Sequence, residues 1–226
     1  MKIWEIARRL LAQNRWLYLF LVLWPLVLAA IFLLPHSSPS ADDVAAVLHQ
    51  ECIYGLALVV FSGSVQLGNE ERSRRIVTVL SRAVSRRQYL FALGLAAWIP
   101  LVPYAISIFL SGLLLDRYTN HLASTIFDLV LLGAWTAAPS LFFASWLPTI
   151  LASGATLALI SGTVGLSRVW PQFGLGGMLG ALVGMGVRPQ GVARVTAWLT
   201  LVVTGIVFFA AASVIFEHRD LRLKEE

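Results

Sequence analysis

The sequence is short of charge. Only 13% of its 226 residues are Asp, Glu, Lys or Arg, whereas 58% are hydrophobic, and the mean hydropathy is +0.78. A water-soluble domain of this size needs a charged shell, and a disordered chain combines low hydrophobicity with high net charge, so both classes are excluded. Cysteine is almost absent: Cys52 stands alone, which excludes an intramolecular disulfide framework and any cysteine-rich metal cluster. Also missing are a G-x-x-x-x-G-K-[ST] phosphate loop, a G-x-S-x-G nucleophile elbow and an H-E-x-x-H zinc motif. The chain therefore has no evident means of its own to hydrolyse ATP or a peptide bond, and it is read as neither an enzyme nor a holder of a cofactor.

What the sequence does have is long apolar runs. Six stretches read as membrane spans: 16–34, 52–67, 90–115, 122–147, 149–166 and 195–216. Together they hold one charged side chain, Asp128. A charge in hydrocarbon costs several kcal/mol, so this depletion is selection by a bilayer. The alternation of a membrane barrel is absent, and the backbone must satisfy its own hydrogen bonds as helices. The expected fold is all-α, a polytopic membrane helical bundle forming one domain over 1–226. Pro100 and Pro103 predict a kink in the third span. The first run follows basic residues, as in a signal peptide, but it is longer than a usual signal core and is read as a retained span.

The formal charge is +5. In an apolar chain this excess sets orientation and does not indicate nucleic acid. With both termini cytoplasmic, 13 of the 17 basic residues lie on the inner side, and only Arg117, Arg168, Arg188 and Arg194 lie outside. Anionic inner lipids and the membrane potential favour that arrangement.

Three segments are not spans. Residues 1–15 place Ile3, Ile6, Ala7, Leu10 and Leu11 on one helical face, predicting an interfacial amphipathic helix. The loop 68–89 carries Ile76, Val79, Leu80, Ala83 and Val84 at helical spacing behind a polar head of Glu70, Glu71, Arg72, Arg74 and Arg75, with Asn69 placed to cap it. Ser85 is placed to cap the third span. Orientation needs only basic residues, so the acidic pair and the apolar stripe point further, to a docking element for a soluble partner. The segment 168–191 is rich in glycine. A seventh span there would move the basic tail outside, so it reads as an outer re-entrant or surface helical insert, with Gly176, Gly180 and Gly184 as a small-residue strip.

His49, Glu51, Cys52, His121 and Asp128 fall toward the outer ends of the second and fourth spans. These residue types bind metals or relay protons, yet nothing in the sequence brings the two helices together, and no metal ligand is assigned. Asp128 is expected within reach of water or headgroups.

The run N-E-E-R-S-R-R-I-V-T-V-L-S-R-A-V-S-R-R-Q-Y-L-F-A-L over 69–93 resembles the segment between spans two and three of ABC transporter permeases of the type-two exporter family. Leu80, Ser81, Arg82, Val84, Ser85 and Arg86 match its core, with Ala83 where the family often has proline. The closing Phe216-Glu217-His218-Arg219-Asp220 is similar to the aromatic-x-x-Arg-Asp ending of many such permeases. The resemblance implies a permease in a bacterial inner or plasma membrane, paired with a second permease copy or paralogue and with two cytosolic ATPase subunits that hold ATP and Mg. It implies that Glu70, Glu71, Arg72, Arg74, Arg75, Ile76, Val79, Leu80 and Arg82 form the helix that couples to the ATPase. The competing readings are a structural subunit of a larger membrane complex, and a metal-handling membrane protein.

Overall fold

The computed structural model describes residues 2–33, 40–72, 84–115, 119–170, 173–185 and 188–218. Among these residues there is no strand, and the fold is the expected all-α bundle. In chain order the helices are α1 (Lys2–Gln13), α2 (Arg15–Phe32), α3 (Ala41–Arg72), α4 (Arg86–Trp98), α5 (Leu101–Leu114), α6 (Thr119–Ala144), α7 (Thr149–Val169), α8 (Gly174–Leu182) and α9 (Val192–His218). Six segments are long and apolar enough to cross a membrane: Arg15–Phe32, Asp42–Asn69, Arg86–Leu114, Leu122–Ala144, Thr149–Val169 and Val192–His218. This is the composition of a multi-pass membrane protein.

The second span is longer than its sequence suggests. Its apolar run begins at Cys52, but α3 starts at Ala41, where Ser40 and Asp43 bond each other's backbone N–H groups across the first turn. Glu51 consequently lies inside the span, and Asp128 is not the one charge within the candidate spans. At its other end α3 runs on to Arg72, so Asn69 is a helix-interior residue and not a cap. The third span breaks where its prolines predict. Helix α4 ends at Trp98 and α5 starts at Leu101, because Pro100 has no N–H to continue the ladder. Ser85 opens α4 with a full capping box, its hydroxyl accepting from the Gln88 N–H while the Gln88 side chain accepts from the Ser85 N–H.

That break divides the interior in two. Leu101, Tyr104 and Ile108 of α5 join Leu56, Leu129 and Leu179 in one apolar cluster. Tyr89, Leu90 and Leu93 of α4 join Ala7, Leu10, Leu141 and Phe216 in the other. The second cluster explains α1: its predicted apolar face is buried at Ala7 and Leu10, against α4, while Trp4, Glu5, Arg8 and Arg9 stay exposed. Helix α6 is central and largely buried, and α2 is peripheral and largely exposed. The exposed apolar faces of α2 and α9 suit lipid as solvent.

Helix α8 has nine residues, too short to span, so it is an insert before the last span. Leu175, Met178, Leu179 and Leu182 are buried in the first cluster, which makes α8 part of the bundle's packing. The predicted strip of Gly176, Gly180 and Gly184 is corrected by the geometry. Gly184 lies beyond the helix at φ +74°, a left-handed position that favours glycine. The close approach falls at Gly176, where a Cβ would run into the Thr163 carbonyl of α7, and at Gly174, where it would lie 2.8 Å from the Ala193 carbonyl oxygen of α9.

Candidate functional site

A cavity of about 510 Å³ opens where α3, α6 and the segment joining α8 to α9 meet. Its polar wall centres on Asp128, whose side chain keeps only 4% exposure. The aspartate lies one and a half turns into the apolar part of α6, and its carboxylate must find cations there, since an unpaired charge in a low dielectric is costly. It finds two. Arg188 donates from Nε to Asp128 Oδ2 at 2.9 Å, contacts the same oxygen through Nη2, and reaches the Ser124 hydroxyl through Nη1. Arg194, in the first turn of α9, approaches Asp128 Oδ1 through Nη2 at 3.4 Å, while its guanidinium carbon sits 5.0 Å from the Trp198 ring centroid. The Nε atoms of Arg194 is buried and has no hydrogen-bond partner among the described residues.

Two guanidinium groups against one carboxylate leave the wall with one net positive charge. Opposite lie apolar side chains, among them Leu48, Ile108, Leu122 and Leu182. His49 lines the cavity beside Gly184, where a Cβ would come within 2.8 Å of its Nδ1 atom. The backbone turn at Gly184 therefore closes directly onto the imidazole.

Of the polar residues noted at the outer ends of the second and fourth spans, the structure brings His49, Cys52 and Asp128 to one cavity, whereas Glu51 bonds elsewhere. Glu51 turns away from the cavity wall: its Oε2 accepts from the Tyr104 hydroxyl at 2.5 Å, and the Trp24 side chain also bonds the carboxyl. Tyr104 thus ties α5 to α3. Cys52 is fully buried beside it and lines the cavity. Asp128 lines the cavity and is held there by two arginines, and the side chain of His121 lies outside the described residues. Among the described residues, no three His, Cys, Asp or Glu side chains come together as a metal site would require.

The other end of the bundle holds the flanks of the predicted coupling segment. The backbone at Glu70, Glu71 and Arg72 continues α3, while Arg74, Arg75, Ile76, Val79, Leu80 and Arg82 lie outside the described residues. Immediately after that segment, Arg86 donates from Nη1 to the carbonyl oxygens of Phe216 and Glu217, and Arg87 forks onto the Glu217 carboxylate at 2.7 and 3.1 Å. The Ser85-Arg86-Arg87 run and the Phe216-Glu217 ending, which carry the family resemblance separately in the sequence, are therefore one contact in space.

Sequence reasoning missed the partners of Asp128. A usable signal was present: a carboxylate within a span calls for a counter-charge, and Arg188 and Arg194 flank the next turn of chain at that end of the bundle. It also missed the Glu51–Tyr104 pair, because Glu51 was left outside the second span. Compared with protein-family models, with curated proteins and with solved structures, the chain matches none.

Proposed function

We propose that the chain is the membrane-spanning permease subunit of an ATP-driven transporter of the type-two exporter kind, with ATP hydrolysis carried by a separate cytosolic subunit. The observation that carries this reading is the meeting of the two resemblance segments, Ser85 to Arg87 and Phe216 to Glu217, at one end of a six-span bundle. In that geometry the end of α3, the amphipathic α1 and the end of α9 share one end of the molecule. The excess of arginine there supports a cytoplasmic assignment for that end.

Force entering the loop would reach the bundle by two rigid routes. One is α3, continuous from Arg72 to Ala41; the other is α4, fastened to α9 by Arg86. A mixed-charge head of Glu70, Glu71, Arg72, Arg74 and Arg75 gives partner choice, and a stripe of Ile76, Val79 and Leu80 with Arg82 gives anchorage. The partners are two ATPase subunits and a second permease copy or paralogue in the lipid bilayer.

The test is purification of the chain from its native membrane. A nucleotide-binding ATPase is expected to accompany it, and charge reversal at Glu70, Glu71 and Arg74 together is expected to abolish that association or its stimulated ATP hydrolysis. Full retention of both would overturn the coupling role. Cysteine introduced at Ser81 in a Cys52→Ser background should react with membrane-impermeant thiol reagents only from the cytoplasmic side.

A further inference from the structure

We infer that the cavity walled by Arg188 and Arg194 binds an amphiphile with a single negative charge, a carboxylate or phosphate head borne on an apolar tail. The inference is independent of the coupling reading, since no part of it involves an ATPase. It rests first on charge. Arg188 is committed to Asp128 and Ser124 through all three of its nitrogens, and so forms the fixed part of the wall. Arg194 is not so committed. Its one bond to Asp128 is long at 3.4 Å, and its buried Nε has no partner among the described residues. A guanidinium carries five donors arranged as a fork; Arg194 spends one on that long contact and keeps 30% of its side chain exposed, so donors remain for an anion in the cavity. With Asp128 cancelling one of the two arginines, a monoanion brings the wall to neutrality.

The second ground is placement. Arg194 is held by its stack on Trp198, so its fork is already ordered before a ligand arrives. Gly191 lines the cavity directly before α9, which brings the N-terminal, positive end of that 27-residue helix to the same wall. The third is shape. A volume of about 510 Å³ lies within the usual range of small-ligand sites, and Leu48, Ile108, Leu122 and Leu182 offer the tail an apolar lining. A head alone would leave that lining unfilled, and a neutral tail alone would leave the wall's second positive charge without a counter-ion.

The head can come from a soluble amphiphile or from a bilayer lipid, and one experiment separates them. The full chain is placed in phosphatidylcholine nanodiscs, and binding of dodecanoate is compared with that of dodecanol. Saturable dodecanoate binding at one site per chain is expected, with dodecanol at least tenfold weaker. Equal binding of the two, or no saturation, overturns the proposal. Repeating the titration in discs of equal parts phosphatidylcholine and phosphatidylglycerol identifies the source: suppressed dodecanoate binding means the anionic lipid takes the site, and unchanged binding means a soluble amphiphile does. Arg194→Gln should weaken dodecanoate at least tenfold, whereas Arg168→Gln, an exposed arginine near the same end, should not; equal effects overturn the assignment. A diazirine-bearing dodecanoate, photolysed on the unaltered protein, should label residues 122–128 or 188–198, and labelling confined to other segments would likewise overturn it.

Discussion

The Arg86 guanidinium donates to the Glu217 carbonyl oxygen at 2.6 Å, so the first residue of α4 caps the last turn of α9. Arg86 places a cation at the negative end of a helix and donates to two of its last carbonyls. The adjacent Arg87–Glu217 pair contributes little, because the Arg87 side chain is 68% exposed and water screens the pair. Arg86→Ala is therefore expected to cost about 1–2 kcal/mol of stability, while Arg87→Ala leaves the melting temperature essentially unchanged. Thermal unfolding in one detergent compares the two, and equal losses would contradict the capping role.

At the cavity, removal of one charge strands the others. Asp128→Asn leaves two arginines facing each other, and Arg188→Gln leaves a buried carboxylate with only the 3.4 Å contact to Arg194. Each single substitution is expected to cost roughly 2–4 kcal/mol, somewhat below the range for a fully buried pair because Arg188 retains 21% exposure. The double variant should cost less than the sum of the two. An additive thermodynamic cycle would show that the pair does not act as a unit.

Glu51 offers a different contrast. Tyr104→Phe removes the hydroxyl that serves a buried carboxyl and is expected to cost about 1–3 kcal/mol. Glu51→Leu combined with Tyr104→Phe removes both polar partners and should be the milder change per group. Melting temperatures of the single and double variants decide it; a double variant no better than Tyr104→Phe alone would argue that Glu51 has a role beyond this bond.

Glycines along the α7 and α8 contact should separate by environment. A methyl group at Gly176 meets backbone of α7, whereas one at Gly162 meets nothing within 4 Å. Gly176→Ala should destabilise by about 1–3 kcal/mol through overpacking, and Gly162→Ala should be neutral or stabilising by up to about 1 kcal/mol. Comparable losses at both positions, read from thermal unfolding, would mean that α8 does not approach α7 as described.

Much of the architecture was legible because a bilayer imposes a coarse rule. Charge is excluded from spans, so six spans could be counted from Trp16 to Phe216 without knowing any contact. Local chemistry was legible too: Ser85 caps the third span as its position predicts, and the span breaks at Pro100. The start of α3 was not legible, because hydropathy falls off before Cys52 although the helix continues through Glu51 to Ala41. A buried carboxyl with a tyrosine partner is indistinguishable in sequence from an exposed one at a span's edge. The glycine strip failed for a related reason: spacing by four marks one helical face only if the helix persists, and α8 ends at Leu182, before Gly184.

Composition and periodicity alone determined that this chain is an all-α, multi-pass bundle with an amphipathic first helix, because those properties follow from the solvent and from contacts within a few residues. Only the tertiary structure decided which charges meet. Arg188 stands 60 residues from Asp128 and Arg86 stands 130 from Phe216, and no local rule pairs residues so distant. Their meeting depends on how α4, α6, α8 and α9 pack. In an interior where an unpaired charge is costly, that packing is what settles each ion's partner.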